Sequence, residues 1–85
     1  MVARPIAMRS TDQQRIRGGA WMTIRDRIMA RDMGLCVRCK ADDVATIARE
    51  IDHIVPLSAG GGNGDANLQA LCLMCHDSKS GAERR

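Results

Sequence analysis

Two cysteine pairs, C-V-R-C ending at Cys39 and C-L-M-C ending at Cys75, set the strongest limit on what this 85-residue chain can become. A domain so small buries too little apolar surface to rest on its core alone. Trp21 is the single aromatic residue, which removes the side chains that usually supply large packing contacts. A covalent or metal staple is therefore expected, and the chain carries four cysteines for it. No apolar run approaches the roughly 18 residues of a membrane span, and the opening M-V-A-R-P-I-A-M-R-S lacks the apolar stretch of a secretory signal. The expected compartment is a reducing cytoplasm. There, paired C-x-x-C motifs serve as tetrahedral zinc ligands, each pair wrapping one edge of the ion, in preference to disulfides. The 32 residues between the pairs exceed the spacer of a zinc ribbon, so the ion would close a loop large enough to hold a hairpin.

The rest of the chain divides around this staple. Residues 1–19 hold Arg4, Arg9, Arg15 and Arg17 among turn-forming and polar residues, end on Gly18-Gly19, and read as a flexible basic arm. Residues 20–85 read as one folded domain. Within it Trp21, Ile24, Ile28 and Met29 fall on one helical face, which predicts a helix from Ala20 to Arg31, stopped at Met33-Gly34 with Gly34 as a left-handed cap. Ala45 to Val55 is rich in β-branched residues and reads as a strand ended by Pro56. S-A-G-G-G-N-G-D over 58–65 is a turn-rich connection, and Asn67 to Gly81 reads as the second cysteine pair entering a short C-terminal helix that Gly81 ends.

Charge is uneven along this plan. Residues 1–31 carry seven arginines against Asp12 and Asp26, a net of +5, whereas residues 32–85 have a net of −2, giving the chain's +3. A phosphate-bearing partner would thus be held mainly by the N-terminal part. An arginine-rich arm is equally consistent with a solvated tail.

The stretch E-I-D-H-I-V-P-L, residues 50–57, places a carboxylate and an imidazole where a buried strand would want neither without a partner. The only other histidine, His76, directly follows Cys75, so a zinc-centred fold that stacks the helix on the hairpin would bring Asp52, His53 and His76 together. Asp52 and His76 offer one oxygen and one nitrogen to a divalent cation and leave positions open for water and substrate. His53 would stay free as a base. One condition applies: neighbours on a regular strand face opposite ways, so the strand must twist or end at this pair.

The ordered set C-x-x-C, D-H-I-V-P-L, a glycine-rich loop and N-L-Q-A-L-C-L-M-C-H-D-S-K resembles the HNH endonucleases, in particular the four-cysteine phage and bacterial group. The resemblance runs from about Trp21 to Lys79. It implies a small α+β fold, a zinc-stabilised, treble-clef-like ββα-metal finger with an N-terminal helix, and makes residues 20–85 a nuclease domain. It assigns His53, Asn67 and His76 to the three letters of the motif, and implies a metal-dependent DNA endonuclease that hydrolyses phosphodiester bonds to leave 5′-phosphate and 3′-hydroxyl ends. In that scheme Cys36, Cys39, Cys72 and Cys75 hold one structural Zn²⁺, while Asp52 and His76 hold a catalytic Mg²⁺, Mn²⁺, Ni²⁺ or Zn²⁺. His53 activates water as general base, and Asn67 ties down the loop and helps orient His53. Arg15, Arg17, Arg25 and Lys79 would meet DNA phosphates. Some relatives place a further ligand four residues beyond the final histidine, where this chain has Ser80. The implied partners are DNA and, in a phage setting, the terminase or other packaging proteins. A double-strand break needs a homodimer, a second visit or a partner, since one site cuts one strand. The competing reading is a zinc-knuckle module that binds nucleic acid or protein and cuts nothing.

Overall fold

Ile28 is fully buried and Trp21, Ile24 and Met29 pack beside it, as their common helical face requires. In a computed structural model, which describes residues 16–84, they lie on helix α1, Gly18–Arg31. The arginine-rich arm lies almost wholly outside the described residues. Past α1, Met33 (φ 58°) and Gly34 (φ 68°) both adopt left-handed backbone, and the Gly34 N–H donates to the Met29 carbonyl at 2.8 Å. The turn after the helix thus takes the place expected of it, with two residues sharing the reversal.

A one-turn helix α2, Val37–Ala41, follows. Next comes the segment expected to be one long strand, and here the structure differs. Ile47 makes only an isolated bridge to Leu35, and regular strand β1 is confined to Glu50–His53. Val44 and Ile47 are exposed, so the β-branched run does not report burial. The chain pairs first with Leu35, then leaves it to pair with a different segment.

That segment is β2, Leu68–Leu71, antiparallel to β1 in the register Glu50↔Leu71, Ile51↔Ala70, Asp52↔Gln69 and His53↔Leu68. Residues expected to begin the C-terminal helix are therefore strand. The helix α3 spans Leu73–Glu83 and starts on Cys72, whose Sγ accepts from the Cys75 N–H at 3.5 Å. It also runs through Gly81, a second departure, because the Lys79–Glu83 pair spans that position one helical turn apart.

Two small clusters make the interior among the described residues. Ile28, Ala48, Ile51, Leu68 and Ala70 lie between α1 and the hairpin, and Cys36, Leu71 and Cys72 form the other with Val37, Cys39 and Cys75 around them. Asp32 joins α1 to the hairpin, accepting from the Ala70 N–H at 3.0 Å while Arg31 donates to both its oxygens. The Arg31 guanidinium, outweighing partial burial, holds the Asp32 carboxyl below its usual range.

Candidate active site and metal centre

The sulfur atoms of Cys36, Cys39, Cys72 and Cys75 all lie within 4.8 Å of one another. Cys39 Sγ is 3.9 Å from Cys72 Sγ and 3.8 Å from Cys75 Sγ. Four sulfurs at the usual bond length of about 2.3 Å from a tetrahedral zinc stand about 3.8 Å apart, so the cluster has the size of an ion's coordination shell and is far too wide for S–S bonds. Its electrostatics agree. Burial resists ionisation of Cys36, yet the backbone N–H groups of Cys72 and Cys39 and the neighbouring thiols outweigh it and bring the pKa down to about 6. The last thiol, Cys75, is pushed up to about 12, chiefly by Cys72. Several thiolates cannot share so small a space unless a cation joins them. Among the described residues, these cysteines are the one group of three or more His, Cys, Asp or Glu side chains whose donor atoms converge in this way.

Beside this centre lies an open cleft of about 400 Å³ that Asp52, His53, His76, Ser80 and Glu83 help to line. The structure thus brings together the acid and both imidazoles expected at the site. The strand-face condition is met because β1 ends on His53, and from Ile54 onward the chain turns away from regular pairing. His76 reaches the cleft from the first turn of α3, one residue after Cys75, so the sulfur cluster fixes where its imidazole can go.

Asp52 is only 7% exposed, and its carboxylate accepts from Gln69 Nε2 at 3.0 Å. Lys79 Nζ lies 3.1 Å from the same carboxylate, donates to the His53 carbonyl at 2.9 Å and also bonds Glu83. Lys79, expected to meet DNA phosphate, is thus only 8% exposed, and its ammonium is engaged with the strand. Burial pulls its pKa down, but Glu83 and Asp52 outweigh that and hold it above the ordinary lysine range. Removing one member of a buried pair leaves the other charge uncompensated. Lys79→Met is therefore expected to destabilise the fold by roughly 3 kcal/mol, measured as a lowered thermal midpoint without added magnesium or manganese. An unchanged midpoint would show that Asp52 does not need the ammonium.

His53 is held on two sides. Its Nε2 is 2.8 Å from Asn63 Oδ1, and its ring stacks on Trp21 with centroids 6.0 Å apart and planes 13° from parallel. Trp21 thus packs against the hairpin and touches the site as well. Asn67, expected to orient His53, contacts the loop instead: its Oδ1 accepts from the Val55 N–H at 2.9 Å, and its Nδ2 donates to the carbonyls of Val55 at 3.0 Å and Gly62 at 2.8 Å. Sequence reasoning missed Asn63, Gln69 and Glu83. Gln69 was findable once β2 is paired with β1, since it stands directly across from Asp52. Of the arginines expected at DNA, Arg17 is exposed, Arg25 is half-buried and donates to the Arg49 carbonyl at 3.3 Å, and Arg15 lies outside the described residues.

Comparison with known proteins agrees with this geometry. Residues 36–81 match the family model of the HNH endonucleases. A probable HNH endonuclease of Lactococcus phage SK1 is 35% identical over 71 residues, an alignment covering 76% of this chain and 73% of that protein. The crystal structure of the HNH endonuclease of the deep-sea thermophilic bacteriophage GVE2, solved with a manganese ion, superposes with a TM-score of 0.73 at 33% identity over 80% of this chain and 76% of the other. The chain belongs to the HNH endonuclease family, metal-dependent nucleases.

Proposed function

We propose that the chain hydrolyses DNA phosphodiester bonds at the cleft where β1 ends, with His53 as general base and Asp52 and His76 as ligands of a divalent cation. The observation carrying this reading is that all three side chains line one open cleft while four cysteines brace the helix behind it. The donor set suits Mg²⁺, Mn²⁺, Ni²⁺ or Zn²⁺, a mixed oxygen and nitrogen pair that leaves room for water and phosphate. The manganese ion in the GVE2 enzyme supports a cation of this kind. Four sulfurs at tetrahedral separation favour Zn²⁺ for the second, structural ion.

The chain's own groups then divide the work. An imidazole, whose ordinary pKa is about 6.5, can take a proton from water near neutral pH, and His53 would do so for the water that attacks phosphorus. Asp52, paired with the adjacent Lys79 ammonium, and His76 would anchor the cation. When bound, that cation supplies positive charge to a non-bridging phosphate oxygen and to the departing 3′ oxygen. Arg15, Arg17 and Arg25, in the basic N-terminal part, would hold the DNA backbone. Two phage relatives support a phage setting, and work beside the packaging terminase, in one copy or as a homodimer, belongs to this proposal.

A plasmid-nicking assay with Mg²⁺, Mn²⁺ or Ni²⁺ tests it. His53→Ala should lower the cutting rate roughly 10²- to 10⁴-fold, the usual contribution of a positioned base, while the protein keeps its zinc and its fold. Cutting by His53→Ala at the wild-type rate would remove His53 from the role.

A further inference from the structure

We infer that Asn63 is a positioning residue that fixes which nitrogen of His53 is basic. The inference rests on the reading of His53 as general base. The imidazole has two chemically distinct nitrogens, and in the neutral ring one carries hydrogen while the other offers a lone pair. Asn63 Oδ1, a carbonyl oxygen, can only accept, and it sits 2.8 Å from His53 Nε2. The proton therefore belongs on Nε2. The lone pair is left on Nδ1, which makes no hydrogen bond with any described residue. Without the amide, a neutral imidazole would exchange between two tautomers, one of them with the wrong nitrogen protonated for its task.

Three further features give this contact its rigidity. The Trp21 ring lies nearly parallel to the imidazole at 6.0 Å, which limits tilting of the imidazole out of its plane. Asn67 bonds the Gly62 carbonyl at 2.8 Å, immediately before Asn63, and both the N–H and the carbonyl of Val55, so the loop bearing Asn63 is tied to the end of the strand bearing His53. The middle asparagine of the motif then acts at one remove: it holds the loop, and the loop's own asparagine holds the imidazole. Asn63 does not line the cleft. That suits a residue that orients a base without meeting substrate.

The chain has only two histidines, so imidazole nitrogen resonances in the ¹⁵N-labelled, zinc-bound protein can be assigned by comparison with His53→Ala, and His76 reports whether the fold is intact. At alkaline pH, without a second metal, two-bond ¹H–¹⁵N correlations should show His53 as the Nε2–H tautomer. Asn63→Ala should bring the two nitrogens toward an averaged pattern, and Asn63→Asp, which keeps an accepting oxygen, should restore the wild-type pattern. In nicking assays Asn63→Ala should lower kcat roughly 10- to 100-fold, the scale on which outer partners of functional imidazoles act, with KM for DNA unchanged. An Nδ1–H tautomer in the wild type overturns the inference, as does an unaltered His53 pattern in Asn63→Ala. Should Asn63→Ala fail to fold, the wild-type and Asn63→Asp spectra still decide. The base assignment fails separately: active His53→Ala protein would sink it whatever the tautomer.

Discussion

Removing the ion from the four-cysteine site with a strong chelator, under reducing conditions, should unfold the whole chain and not merely loosen one end. The interior explains why. Among the described residues the largest fully buried side chains are Ile28, Leu68, Leu71 and Cys36, and one of these four is itself a sulfur donor. Hydrophobic burial on that scale leaves a small domain near the margin of stability, whereas a structural zinc contributes about 10–16 kcal/mol of apparent binding free energy, comparable with or above the 5–15 kcal/mol of a typical domain. The ion would join the segment after α1, which carries Cys36 and Cys39, to the start of α3, which carries Cys72 and Cys75. Loss of the ion leaves thiols that repel as they ionise, and releases the helix that presents His76. Far-ultraviolet circular dichroism should show loss of α1 and α3 together as zinc is withdrawn, and native mass spectrometry should count one zinc in the folded form. Cys36→Ser, which removes one of the four sulfurs, should behave like the chelated protein. A metal-free chain that still melted cooperatively at the original temperature would contradict this account of what holds the fold.

How far the residues alone reveal this molecule depends on which signals are local. The cysteine spacing and the apolar face of α1 need only chemistry and periodicity, and both lead to what the structure contains. β2 is different. L-Q-A-L has only four residues, each acceptable in a helix, and it is strand because its backbone groups find β1, a partner 15 or more residues away. The length of β1 misleads for the opposite reason: I-A-R-E-I-D-H-I-V has the composition of a strand throughout, yet pairing switches from Leu35 to β2 within it. Lys79 shows the limit for charges. One turn from His76 on a small domain, a lysine reads as a surface group facing phosphate, and only the buried Asp52 carboxylate, placed by tertiary packing, turns it inward. Asn63 was hidden by its setting, since asparagine among glycines is what any turn prefers.

The same setting conceals a second requirement, and Gly61→Ala exposes it. A Cβ on Gly61 would stand 1.8 Å from the Val55 carbonyl oxygen, 2.7 Å from its carbon and 2.9 Å from Asn67 Nδ2. The first two atoms are backbone, so no side-chain rotation relieves the clash. Val55 cannot retreat freely, because its N–H and carbonyl are both bonded to Asn67, and Asn67 also holds Gly62. The loop must move as a unit, giving up those three bonds and pulling Asn63 from His53. Such a change belongs with the severe class of substitutions, about 4 kcal/mol or more, which for a domain of this size lowers the thermal midpoint by roughly 15 °C or more. Gly62→Ala is the control: nothing lies within 4 Å of its added carbon, so it should stay within about 0.5 kcal/mol of the wild type. Nicking by folded Gly61→Ala, measured well below its melting temperature, should also fall, because the imidazole loses its amide partner while Asp52 and His76 keep theirs. If the two glycine variants melted together, G-G-G-N-G-D would be an ordinary flexible connection. A large gap between adjacent glycines requires that the loop be packed against the end of β1 as an extension of the active site, with Gly61 present because only hydrogen fits there.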